Sequence, residues 1–180
     1  MTRLTIPDRS SADPAAQPLF DAVERQLGAL PNLFRLIGLS PATLEGVLAL
    51  SAALSRTLDV QTRERIALTV AEVNGCDYCL SAHSYLAANL AKLDASEIAA
   101  ARKGRSSDSK ANAAVAFARK IADSRGRAAD ADLAAVRLAG FSDGQIVEIV
   151  ANVALNVLTN FLGVVADTDI DFPVVRAEAA

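Results

Sequence analysis

The segment Glu64 to His83, ERIALTVAEVNGCDYCLSAH, holds both cysteines of the chain and its only histidine. Cys76 and Cys79 stand three residues apart and His83 follows four later, so on a helix the three side chains share one face. An imidazole on that face can exchange a proton with a sulfur. The thiolate is the nucleophilic form, and a free thiol titrates near ~8.5. Asn74-Gly75 reads as a helix stop, since both residues tolerate the left-handed conformation, and a new helix is expected from Cys76 to about Leu90. Its amino terminus offers unsatisfied N–H groups and a partial positive charge, which favour a thiolate. Two neighbouring thiols also permit a closed redox cycle. A thiolate attacks an O–O bond and becomes a sulfenic acid, the second cysteine condenses with it to a disulfide, and a reductant resets the pair by exchange.

Glu64 sits on the same helical stripe as Val60, Ala67, Leu68 and Ala71. A carboxylate among apolar neighbours is costly unless partnered and tends to a raised pKa, which suits a proton donor and acceptor for His83. Plainer readings compete: two small cysteines filling a core, a first-turn acid held by the helix dipole, and Tyr78 as pocket wall or ordinary packing. A structural zinc site needs four ligands. Cys76, Cys79 and His83 make three, with a fourth only from Glu64, Asp77 or another subunit, so no metal is expected, nor any bound organic cofactor.

These residues must be positioned by helices, since no segment alternates convincingly as a strand. Asp13-Pro14 and Ser40-Pro41 read as cap-plus-proline helix starts, Gly28 and Pro31 as an end. A short turn is expected over 32–39, and Asp59 is expected to cap a helix to Asn74. Further helices are placed at 95–102, 111–124 and 130–138, with 104–110 as an exposed loop. Ser142 is expected to cap a long final helix ending near Ala166, followed by an extended DTDIDFP tail. The expectation is an all-α, single-domain bundle of about eight helices, with an extended N-terminal segment over 1–14 and one helical domain over 15–180. In the long helix Glu148, Asn152, Asn156 and Asn160 recur every four residues. That stripe argues for a packed helix rather than a membrane span, and its side is expected to face solvent or another subunit.

Composition narrows the partners. The 180 residues carry 18 basic and 21 acidic side chains, no Trp and only 4% aromatics. There is neither a basic excess to neutralise phosphates nor an aromatic platform for bases, so no nucleic acid is expected. The 37 alanines favour closely packed helices. The polar start MTRLTIPDRSSADP has no apolar signal core, and two cysteines make no secreted disulfide framework. No membrane partner and a cytoplasmic location are the expectations.

The pattern Glu64, Cys76, Cys79, His83, with its setting NGCDYCLSAH, resembles the alkylhydroperoxidase D-like, peroxidase-related branch of the carboxymuconolactone decarboxylase superfamily. LPNLFRLIGLSP at 30–41 and ADTDIDFP at 166–173 extend the likeness over most of the chain. The resemblance implies an all-helical fold, homo-oligomers that are commonly trimers or hexamers, and reduction of hydrogen peroxide or small organic hydroperoxides, reset by a thiol or dithiol reductant. It assigns Cys79 as peroxidatic, Cys76 as resolving, His83 as general base and Glu64 as relay carboxylate. On physical grounds the attacking sulfur stays open, because the first cysteine of a CxxC at a helix start is usually the more exposed. Tyr78 stands where the best-described members carry a second histidine, and a phenol of ordinary pKa about 10 is a poor shuttle near neutrality. Two other functions are carried alongside: a lactone decarboxylase or isomerase by superfamily analogy, and a redox-sensing helical oligomer without rapid turnover.

Overall fold

The computed structural model describes residues 2–178. Among them the chain forms two short 3-10 turns (Arg9–Ser11 and Pro14–Ala16), nine α-helices and no strand. The helices are α1 (Gln17–Leu27), α2 (Asn32–Ile37), α3 (Pro41–Leu54), α4 (Val60–Val73), α5 (Asp77–Asn89), α6 (Ala95–Arg102), α7 (Ser109–Asp123), α8 (Asp130–Leu138) and α9 (Asp143–Ala166). The all-α expectation holds, with nine helices where about eight were expected. The expected segments 1–14 and 15–180 each run into residues outside those described.

Several boundaries follow from the caps. Ser40, Asp59 and Ser142 each accept a backbone N–H at the start of α3, α4 and α9. Gly28 closes α1 at φ +75°, a left-handed conformation suited to glycine. The Asp13-Pro14 start is corrected. Asp13 does cap Ala15, but the first turn is 3-10 and α1 begins only at Gln17. The cause is Pro18, which has no N–H to give the Pro14 carbonyl as an α-helix would require. α7 starts two residues earlier than expected because Asp108 caps it, accepting from Ala111.

α4 is the central rod. It packs against α5, α6, α7 and α9, and its turns are buried from Arg65 to Ala71. Leu68 and Ala71 join one apolar cluster with Phe20, Leu36, Leu44 and Leu80. Ile66 and Val70 join a second cluster with Phe117, Val136 and Ile149. Burying α4 on both flanks holds its two ends in place, and the carboxyl-terminal end leads straight into α5.

α9 has the length and apolar composition of a membrane span, yet one side of it is packed inside the protein. Asn152, Asn156 and Asn160 are buried, which corrects the expectation of a solvent- or subunit-facing stripe. The first two give their amide N–H groups to carbonyls one turn back, Glu148 and Asn152, both at 2.8 Å. Their polar groups are therefore satisfied within the helix itself, so burial is tolerated. The opposite side, with Val147, Phe161 and Val165, is exposed.

Candidate active site

α4 delivers Glu64 and α5 delivers the cysteines and His83. Between them the chain reverses through Asn74 and Gly75, the latter at φ +63°. Asn74 stays right-handed, so Gly75 alone takes the left-handed position. Cys76, expected to open α5, is instead its N-cap. Its Sγ accepts the backbone N–H of Cys79 at 3.2 Å, the place usually held by a Ser or Asp oxygen. The sulfurs of Cys76 and Cys79 are in disulfide contact, with Cα atoms 5.3 Å apart, a separation that a disulfide spans. Both residues are almost fully enclosed, at 1% and 2% exposure.

His83 Nδ1 lies 2.9 Å from Glu64 Oε2, joining α5 to α4. The two side chains keep 25% and 13% of their surface, so the pair sits at the protein boundary rather than deep in the core. With Nδ1 held by the carboxylate, Nε2 is the ring nitrogen left for exchange. The structure thus brings Glu64 to His83 and Cys76 to Cys79. Among the described residues no hydrogen bond joins His83 to either sulfur. The two pairs are linked through α5, on which His83 follows Cys79 by one turn.

α9 closes the site from behind. A Cβ at Gly163 would lie 3.1 Å from Cys76 Sγ and 3.7 Å from Cys79 Sγ, so only glycine lets the helix backbone lie against the sulfurs without displacing one. One turn earlier, Asn160 is wholly buried and its Oδ1 accepts from Asn74 Nδ2 at 2.9 Å, fastening α9 to the reversal before Cys76. Tyr78 is 4% exposed, gives its hydroxyl proton to Asp171 at 2.8 Å and accepts from the Leu33 N–H at 3.1 Å. Burial, with the Asp171 carboxylate, pushes its phenol well above the ordinary value. It packs and fastens.

Gly163, Asn160 and Asp171 were not singled out from the sequence for the site. A glycine inside an apolar helix is a signal of close approach. Asp171 carries none, lying 93 residues from the hydroxyl it holds. Among the described residues no cluster of three or more His, Cys, Asp or Glu could hold a metal.

The helices are arranged in an AhpD-like all-helical fold. An uncharacterised peroxidase-related protein from Ralstonia eutropha JMP134, described as an alkylhydroperoxidase AhpD core, shares the fold at TM-score 0.82 and 23% identity, covering 94% of this chain and 92% of its own. The debrominase Bmp8, a C82A variant in complex with 2,3,4-tribromopyrrole, is similar at TM-score 0.80 and 24% identity over 95% and 92%. A peroxidase-related protein from Silicibacter sp. TM1040 is similar at TM-score 0.79 and 24% identity over 93% and 91%. Residues 41–124, which contain Glu64, both cysteines and His83, match the Carboxymuconolactone decarboxylase family model. No curated protein matches the chain by sequence.

Proposed function

We propose that the protein is a thiol-dependent peroxidase acting on hydrogen peroxide or small organic hydroperoxides. The observation that carries the reading is the 2.9 Å His83–Glu64 pair, standing one helical turn after a CxxC whose sulfurs meet. In the reduced protein the Cys79 thiolate attacks one peroxide oxygen. An S–O bond forms, the O–O bond breaks, and the departing alkoxide or hydroxide takes a proton by way of His83 and Glu64. Cys76 then attacks the sulfenic sulfur, the S–S bond forms and water leaves. The dithiol has supplied two electrons, and an external thiol or dithiol restores them by exchange. The reaction needs no metal and no bound organic cofactor.

The protein works as a cytoplasmic homo-oligomer, a trimer or hexamer. The exposed apolar side of α9, with Val147, Leu158, Phe161 and Val165, supports such packing. Nucleic acid and membrane are not partners. Stopped-flow mixing of the reduced protein with hydrogen peroxide tests the assignment. Fast consumption that disappears in Cys79→Ser and Cys76→Ser is expected, and unchanged rates in both variants reject it.

The near-complete enclosure of both cysteines favours one rival, a redox-sensing oligomer that oxidises without rapid turnover. Thiol loss under substoichiometric peroxide separates the two. A rate no faster than free cysteine selects the sensor.

A further inference from the structure

The two residues between the cysteines are held from outside their own helix. Downstream of α9 the chain crosses the first turns of α5 in an extended run, and it bonds there repeatedly. Asp171 takes the Tyr78 hydroxyl proton on Oδ1 and the Asn32 N–H on Oδ2, both at 2.8 Å. Phe172 stands edge-on to the Tyr78 ring, centroids 5.9 Å apart. The Val175 N–H donates to Ser81 Oγ at 2.9 Å. Asp77 accepts the Ala177 N–H at 2.8 Å and pairs with Arg176 at 2.6 Å. Burial would raise the Asp77 carboxyl, but the bonds from Ala177 and Arg176 outweigh it and draw it below its usual range. Both residues of the CxxC interior are thus anchored to one segment 93 to 100 residues away.

We propose that residues 168–178 are a positioning element of the redox centre, with Asp171 its principal residue, holding Tyr78 and Asp77 so that the turn keeps the two sulfurs within reach of each other. Two thiols confined to one fixed turn react at a high effective concentration, and freedom in that turn lowers it. Tyr78 and Asp171 together also cap the start of α2, whose Leu33 packs beside Gly163. The strap therefore fixes both the turn that carries the sulfurs and part of the wall behind them. This rests on the redox reading of the cysteine pair, but not on peroxide as the oxidant.

The test uses the full chain equilibrated in glutathione buffers. The protein dithiol and one glutathione disulfide give the protein disulfide and two glutathione thiols, through a mixed disulfide. Alkylation and mass spectrometry give the equilibrium constant. In Asp171→Ala and in Tyr78→Phe the constant for disulfide formation falls about tenfold, the size expected from losing a part-buried hydrogen bond to a carboxylate. The double variant falls no further than about twofold beyond the worse single one, because the bond the two residues share carries most of the effect. Asp171→Asn, which keeps an acceptor for the phenol, recovers part of the loss. A purely structural role would lower thermal stability in both redox forms and leave the constant unmoved. Constants within about twofold of the parent in both single variants overturn the proposal. Should either fail to fold, Arg176→Ala, at an exposed site, is expected to lower the constant about threefold, and no change there overturns it. If the constant moves while the parent protein consumes no peroxide, the strap stands and the peroxidase reading falls.

Discussion

Replacing Glu64 with Gln removes one charge and little else. Gln keeps the side-chain length and an oxygen that can accept from His83 Nδ1, so the imidazole stays aimed as it is in the 2.9 Å pair. What is lost is the difference between a bond to an ionised group, about 1.5–3 kcal/mol, and a neutral one, about 0.5–1.5 kcal/mol, which is about 1–1.5 kcal/mol. At about 1.4 kcal/mol per decade, the step in which His83 moves a proton slows roughly fivefold to twelvefold. Removing the ring with His83→Ala costs more, about 10²–10⁴-fold, the usual span for a general acid or base. The chain has no Trp to report oxidation by fluorescence. The assay is therefore rapid quenching: reduced protein is mixed with excess hydrogen peroxide, stopped with an alkylating reagent at set times, and weighed. If Glu64 acts through His83, the double variant is no slower than His83→Ala alone. A Glu64→Gln rate within about twofold of the parent would show that the carboxylate takes no part in proton movement, and the relay would have to be abandoned.

Two further outcomes concern stability. Gly46, in α3, has open space where a Cβ would go, whereas Gly163 meets Cys76 Sγ. Gly46→Ala should gain about 1 kcal/mol of helix propensity. Gly163→Ala should forfeit that gain to crowding of about 1–3 kcal/mol, and parallel thermal melts of the two variants show the difference. Glu97 is nearly buried; burial pushes its carboxyl up, but bonds from Ser107, Ser106 and Arg65 outweigh that and hold it at about 2. A depressed carboxyl contributes stability that is complete above the unfolded value of about 4.3 and is lost as pH falls toward 2. Denaturant melts across that window should steepen in the parent and flatten in Glu97→Gln, which also loses about 3 kcal/mol at neutral pH by stranding Arg65.

The parts of this protein legible in its sequence are those decided within one turn of chain. Ser142 caps α9 and Asp59 caps α4 as their types require, and Cys79 shares a helix with His83 one turn on as their spacing requires. Local chemistry misleads where a second local constraint intervenes, as Pro18 does to the helix expected at Pro14, or where a residue takes an unusual office, as the Cys76 sulfur does in capping α5. What was not legible depends on chain brought from far away. No pattern near Asp171 marks it for Tyr78, and none near Asn160 marks it for Asn74, 86 residues distant. The asparagine stripe is visible in the sequence, but side-chain periodicity does not report that carbonyls one turn back accept the Asn152 and Asn156 amides and so let those side chains be buried.

α9 is a single continuous helix with two audiences. Through Gly163 it rests on the sulfurs, and through Val147, Phe161 and Val165 it presents an oily flank to whatever lies outside. A neighbour gripping that flank would brace the backstop of the thiol pair without ever approaching it. Crowded and dilute solutions of the same protein would then hold their cysteines in differently stiffened seats, and association and reactivity would be two readings of one helix.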